Sequence, residues 1–295
     1  MKKLTVMAMT EKGYAVVKLL LSRHPGLVDA VIGARDDGNL QDFYAEISAL
    51  CRVHGVTFHN KRDGFKISSE YVLAVSWRWL IDTSKARLIV LHDSLLPRYR
   101  GFNSLVTALI NGDTEVGVTA IYAGAAYDRG DIIGQSSSPV AYPMKIRDAI
   151  RIVIGNYEDL AERIAISLTS GRAPVATPQS ETGVIYSLWR DEDDYAIDWS
   201  LSAVQIEKFV DAVGYPYKGA SSIFEGRRVR FQDVRALDDV EVANRTAGKV
   251  IFLEEGKPIV VCGQGLIRID GLTDDETGVS MLPLSRFRVR FLGSQ

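Results

Sequence analysis

The chain has 295 residues, 46% hydrophobic and 24% charged, with a formal net charge of -2. That is enough apolar content for one large core or two medium ones, and so balanced a charge gives no global attraction to DNA or RNA. Cys51 and Cys262 stand far apart in no metal-ligand spacing, and no apolar run approaches the roughly 18 residues of a membrane span. A disulfide framework, a metal centre and a membrane anchor are therefore not expected, and a reduced cytoplasmic protein is.

Leu4 to Met9 reads as a first buried strand rather than the core of a secretory leader. Val16, Val17, Leu19, Leu20 and Leu21 then cover one face of a helix over Gly13 to Arg23. Leu27 to Gly33 is a second strand, and Asp42 to His54 a helix with Phe43, Ile47, Leu50 and Val53 in register. Short strands follow at Val56 to His59, Tyr71 to Ser76 and Leu88 to Leu91, then a helix at Phe102 to Asn111 and a strand at Thr114 to Tyr122. A long helix is predicted over Ile146 to Thr169. Strands alternating with helices imply βαβ units, hence an α/β fold with a mostly parallel, Rossmann-like sheet. Such sheets take ligands at the carboxyl ends of their strands.

The composition shifts at Gly171 to Ser180, which holds two prolines and little apolar periodicity. Three parts are expected: residues 1–170 as a catalytic domain, 171–183 as a linker and 184–295 as a small β-rich domain. In the last, Ser200 is expected to cap a helix over Leu201 to Ala212. Short β runs are read at 220–224, 229–234, 248–253, 259–262 and 266–269, the spacing of a small barrel or sandwich. The alternation of cation and apolar residue from Arg286 to Phe291 reads as a half-exposed strand.

Two stretches carry chemistry. His92 ends a buried strand and is followed by Asp93-Ser94-Leu95-Leu96-Pro97-Arg98-Tyr99-Arg100-Gly101. An imidazole there is a candidate general base, and Arg98 and Arg100 suit an anion. A buried structural His beside two solvated Arg fits those residue types equally well. Asp128-Arg129-Gly130 lies 36 positions downstream of His92. Its carboxylate would orient the imidazole, or the stretch is a plain surface turn.

Taken together, the stretches resemble the formyltransferase family that uses 10-formyltetrahydrofolate. Ser94-Leu95-Leu96-Pro97, Arg100-Gly101, Asn111-Gly112, Gly117-Val118-Thr119 and Asp128-Arg129-Gly130 stand in the family's order. The likeness continues weakly through Tyr186-Ser187, Asp198-Trp199 and Tyr215 to Ala220. It implies an amine attacking the formyl carbon of the folate, with His92 and Asp128 as the catalytic pair and no metal. It also implies folate contacts from Trp77, Arg78, Trp79 and Leu80, from Ser94 and Leu95, and from Ala125 and Tyr127. Family members place an Asn two residues before the His, where it binds the formyl oxygen, a contribution of roughly 3 kcal/mol for one such donor. Here that position is Val90, which has no donor. Three accounts fit: slow chemistry with His92 and water, a substitute donor such as Asn103, or a folate-binding homologue with weak turnover.

For the acceptor, the segment from Gln179 onward carries 14 Lys/Arg against 19 Asp/Glu, a net charge of -5. A domain gripping tRNA phosphates should be basic, and purine-pathway members lack a comparable second domain. An amino-sugar nucleotide is thus the expected acceptor, ahead of methionyl-tRNA or another small amine. Arg98, Arg100, Asn103, Tyr215 and Tyr217, with Tyr186 and Trp189, are the residues expected to hold it. A homodimer is left open.

Overall fold

The alternating signals of the first half become, in a computed structural model describing residues 2–36, 39–82, 86–124 and 126–293, a regular βα succession. It runs β1 (Leu4–Ala8), α1 (Thr10–Arg23), β2 (Val28–Gly33), α2 (Tyr44–Val53), β3 (Thr57–Asn60), β4 (Tyr71–Val75), β5 (Arg87–His92) and β6 (Arg100–Gly101). It continues with α3 (Ser104–Asn111), β7 (Glu115–Tyr122), β8 (Ile132–Pro139), α4 (Ile146–Thr169) and β9 (Tyr186–Ser187). Seven strands form one sheet in the order β3-β2-β1-β4-β5-β7-β8. Pairings from β3 through β5 are parallel, while β7 runs antiparallel to both β5 and β8. β1 and β4 are buried at every position. Strands covered on both faces read as unbroken apolar runs, which is why they were legible. β8 was not, because Ile-Ile-Gly-Gln-Ser-Ser-Ser-Pro has neither alternation nor high strand propensity. Its pairing with β7 places it.

The chain divides into two compact units: Met1–Leu105, Thr114–Val140 and Ala149–Leu188, and then Val106–Asp113, Ala141–Asp148 and Trp189–Gln295. Residues 171–188 thus belong to the first unit. There the Ile132 and Thr177 amides each donate to the other's carbonyl, at 2.7 and 2.9 Å, and the Tyr122 hydroxyl donates to the Pro174 carbonyl at 2.8 Å.

The second unit contains α5 (Ala203–Val213) and β10 (Ala220–Phe224), β11 (Arg227–Leu237), β12 (Val250–Glu254), β13 (Lys257–Val261), β14 (Leu266–Asp274) and β15 (Phe291–Leu292). Its six strands form an antiparallel sheet in the order β12-β13-β14-β11-β10-β15. A bridge between Lys249 and Arg290 joins the two edges, so the sheet curls into a barrel-like form. Trp199, Phe224, Phe231 and Phe291 fill it with ring centroids 4.9 to 5.8 Å apart.

Two expectations for this unit are corrected. The cap of α5 is Ser202, not Ser200: its hydroxyl accepts from the Gln205 amide, and Gln205 reaches back to the Ser202 amide. Ser200 instead donates to Asp198. The C-terminal alternation pairs as a strand only at Phe291–Leu292, and Arg286 and Phe287 are exposed.

Cys51 and Cys262 are free, and burial pushes their thiols up to about 11 and about 12. Among the described residues no helix is long and apolar enough to cross a membrane, and no group of three or more His, Cys, Asp or Glu could hold a metal ion.

Candidate active site

The two-residue period of β5 sends Ile89 and Leu91 to one face and Val90 and His92 to the other. His92 lies opposite Thr119, and Val90 between Ala74 and Ile121. The loop after His92 is held by its own polar residues. Ser94 Oγ donates to the Arg98 carbonyl at 2.6 Å. Thr119 Oγ1 donates to the Ser94 carbonyl at 2.5 Å and accepts from the Leu96 amide at 3.0 Å. Gln135 Nε2 donates to the Leu96 carbonyl at 2.8 Å. Leu95 packs over Gly117, where a Cβ would come within 2.6 Å of Leu95 Cδ2. Ser94 and Leu95, expected at the folate, are therefore engaged in shaping the loop.

His92 is buried, and both its ring nitrogens have neighbours. Nε2 lies 2.8 Å from the Tyr99 carbonyl oxygen and 3.3 Å from Ser104 Oγ. A carbonyl oxygen only accepts, so Nε2 carries a hydrogen. The other ring nitrogen, Nδ1, lies 3.5 Å from Asp128 Oδ1. Asp128 Oδ2 accepts from the Gly101 amide at 2.8 Å. Asp128 itself sits at φ +52°, an uncommon left-handed conformation. Two glycines make this approach feasible. Gly101 has φ +111° and a Cβ there would lie 2.3 Å from the Ser187 carbonyl oxygen; a Cβ on Gly130 would lie 1.5 Å from that of Tyr122. An imidazole nitrogen with a carboxylate 3.5 Å from it and fixed backbone partners suits acid–base chemistry.

On the opposite face of the sheet, Asp93 accepts from the Tyr157 hydroxyl at 2.6 Å and from the Lys12 ammonium. Burial raises the Asp93 carboxyl, but the Lys12 charge and the Lys12 and Tyr157 hydrogen bonds outweigh it and hold it below the ordinary 3.8. A depressed carboxylate stabilises the folded chain above its unfolded value, and loses that contribution as pH falls through the folded one. Lys12→Met is therefore expected to cost about 3 kcal/mol at neutral pH. It should also flatten the loss of stability below about pH 4, read as urea midpoints across a pH series.

The remaining expected residues are placed as follows. Trp77 packs on a cluster of Met7, Ile32 and Val72, and its ring meets that of Trp79 edge-on at 5.2 Å. Trp79 is 38% exposed under the Lys61 ammonium, and Leu80 is exposed. Arg78 pairs with the buried Asp36. Just before them, at the end of β4, the buried Ser76 hydroxyl has no hydrogen-bond partner among the described residues. Tyr127 is exposed, with its ring 6.3 Å from that of Phe102; Ala125 lies outside the described residues. Arg98 is exposed, and its guanidinium donates to the Tyr99 hydroxyl at 3.0 Å. Arg100, expected at the acceptor's anion, instead faces inward with 1% exposure, bonded to Gln179 and Glu181. The parallel pairing of β6 with β9 draws it in. The Asn103 amide donates to the Leu188 carbonyl at 3.5 Å. Tyr215 and Tyr217 lie in the second unit, on the turn after α5, with the Arg147 guanidinium 5.6 Å from the Tyr215 ring.

Sequence reading missed Ser104, the Tyr99 carbonyl and Gln179. A serine opening a helix just after the motif was a signal for the first; backbone direction and long-range contacts leave none for the others.

Residues 64–151 match the formyl transferase family, and residues 190–280 match the formyl transferase C-terminal domain. The methionyl-tRNA formyltransferase of Dechloromonas aromatica is 28% identical over 210 residues, 70% of this chain and 64% of that protein. That of Ralstonia nicotianae is 29% identical over 211 residues, 70% of this chain and 62% of that protein. The matched stretch thus spans under two thirds of these relatives. The N-formyltransferase from Helicobacter canadensis, solved with folinic acid and dTDP-3-aminofucose, superposes with a TM-score of 0.70 at 16% identity. That match covers 91% of this chain and 99% of the other.

Proposed function

The chain belongs to the formyltransferase family, and from that premise we propose that it is a cytoplasmic N-formyltransferase moving a formyl group from 10-formyltetrahydrofolate to the primary amine of an amino-sugar nucleotide. The observation that carries the transfer chemistry is the His92–Asp128 pair. Nε2 faces a carbonyl, so Nδ1, beside the Asp128 carboxylate, receives the proton of the amine as it bonds to the formyl carbon; the carbon–N10 bond then breaks and tetrahydrofolate leaves with that proton on N10. The folate supplies the activated formyl group. Ser76, Trp77, Trp79 and Leu80 fit it at the end of β4, where two indoles stand beside a buried hydroxyl in need of a partner. The acceptor reading rests on charge: residues from Gln179 onward carry a net -5, which repels an RNA backbone. Methionyl-tRNA is the second reading, favoured by the names of the relatives at 28 and 29% identity.

Formyl transfer measured with a panel of amino-sugar nucleotides and with methionyl-tRNA tests both. Turnover with a sugar nucleotide, and a tRNA affinity that is weak at every salt concentration, are expected. Tight, steeply salt-dependent tRNA binding with formylation would overturn the acceptor assignment, and folate binding without turnover on any amine would overturn the enzyme. Val90 shares a strand face with His92, so Val90→Asn is expected to raise kcat about 10- to 100-fold by adding one donor at the formyl oxygen. No gain would mean that another group already occupies that role.

A further inference from the structure

We propose that Gln179 is a positioning residue that sets the approach of Asp128 to His92. The proposal rests on the transfer role given above to that pair. The carboxamide of Gln179 is saturated. Nε2 donates to the carbonyl of Asp128 at 2.8 Å and to that of Gly130 at 2.7 Å. Oε1 accepts from Arg100 Nε at 3.2 Å and from Nη2 at 2.9 Å. Two donors and two lone pairs are all that a carboxamide has. One side chain thus ties both ends of the same contact. The Asp128 backbone is on one side; on the other is Arg100, directly before the glycine whose amide holds the Asp128 carboxylate. No local sequence rule keeps Asp128 at φ +52°, a conformation that persists only where its surroundings impose it. Without the clasp the turn relaxes, the carboxylate leaves Nδ1, and the pair loses its alignment.

The alternative is that Gln179 merely anchors residues 171–188 to the first unit. The two accounts part at Gln179→Glu. Glutamate still accepts from Arg100 but sets a carboxylate oxygen against two carbonyl oxygens, so anchoring survives while the hold on Asp128 is lost. Positioning predicts a kcat lowered about 10- to 100-fold, KM for folate and acceptor within about threefold, and a thermal midpoint lowered by only about 5 °C for the two lost hydrogen bonds. Gln179→Met, which removes donors and acceptor together, should lower kcat similarly. The Asp128→Asn/Gln179→Glu double variant should be no slower than Asp128→Asn alone, because both changes act through one group. The substrate-free readout is histidine 15N NMR. Charged or titratable groups near His92 are Asp128 at Nδ1 and Asp93, itself held by Lys12 and Tyr157. The His92 Nδ1 signal should move in Gln179→Glu in the same direction as in Asp128→Asn. A wild-type kcat in Gln179→Glu, losses that multiply in the double variant, or an unmoved Nδ1 signal would overturn the proposal. An Nδ1 signal that moves as expected in an enzyme with no formyl transfer would uphold the clasp and refute the functional reading instead.

Discussion

Asp128→Asn is expected to lower kcat about 10²- to 10⁴-fold, the range in which a positioned acid–base partner contributes. The substitution changes shape very little. The carbonyl oxygen of Asn keeps the hydrogen bond from the Gly101 amide that Asp128 Oδ2 now accepts at 2.8 Å. That leaves the amide nitrogen where Oδ1 now lies, 3.5 Å from His92 Nδ1. An NH₂ there donates into the Nδ1 lone pair. Since the Tyr99 carbonyl requires Nε2 to hold a hydrogen, both nitrogens are then occupied and neither accepts the amine proton. KM values should stay within about threefold, because the Asp128 oxygens face His92 and the Gly101 amide. Steady-state kinetics with folate and acceptor varied separately checks this; an unchanged kcat would remove His92–Asp128 from the chemistry.

Gly130→Ala is expected to destabilise the first unit by about 3 kcal/mol or more and to remove most activity at the same time. The added Cβ would lie 1.5 Å from the Tyr122 carbonyl oxygen, less than half a contact distance, and the positions of both atoms are fixed by the backbone. No rotamer change relieves such a clash. Either the end of β7 or the turn carrying Asp128 must move. Tyr122 is tied by its amide to the Asp131 carbonyl at 3.0 Å, and the Gly130 carbonyl is tied to Gln179. The turn therefore shifts with Asp128 on it. Urea denaturation and kcat should fall together, whereas Asp128→Asn should lower kcat alone. A stable but inactive Gly130→Ala would mean that the turn yields without cost to the fold.

Much of the architecture is written in local pattern. β4 shows as an unbroken apolar run, and β1 as one broken only by Thr5, because both their faces are covered, and α1 shows as a stripe because only one of its faces is. β8 escaped because three consecutive serines carry no apolar period; its backbone pairing with β7 and the serine hydrogen bonds to Glu115 and Asn156 are long-range contacts that local pattern does not record. The site divides in the same way. His92 and Asp128 were legible as residue types at the ends of apolar strands, within the motif around Ser94-Leu95-Leu96-Pro97 and Asp128-Arg129-Gly130. The burial of Arg100 was not legible, because a cation in a loop is usually solvated; it depends on β6 meeting β9 from 86 positions away in the chain, a pairing that local sequence does not encode.

The sequence by itself determined the fold class, the place of His92 at a strand end, the absence of a donor at Val90 and the acidity of the second half. All of these are properties of residue type and spacing. Only the tertiary structure decided which imidazole nitrogen faces a carbonyl and which faces Asp128, and what holds Asp128. Both depend on where the Tyr99 carbonyl and the Gln179 carboxamide point in space. A carbonyl has the same identity at every position in a sequence, and a glutamine 51 residues from Asp128 becomes its partner only when the chain has folded.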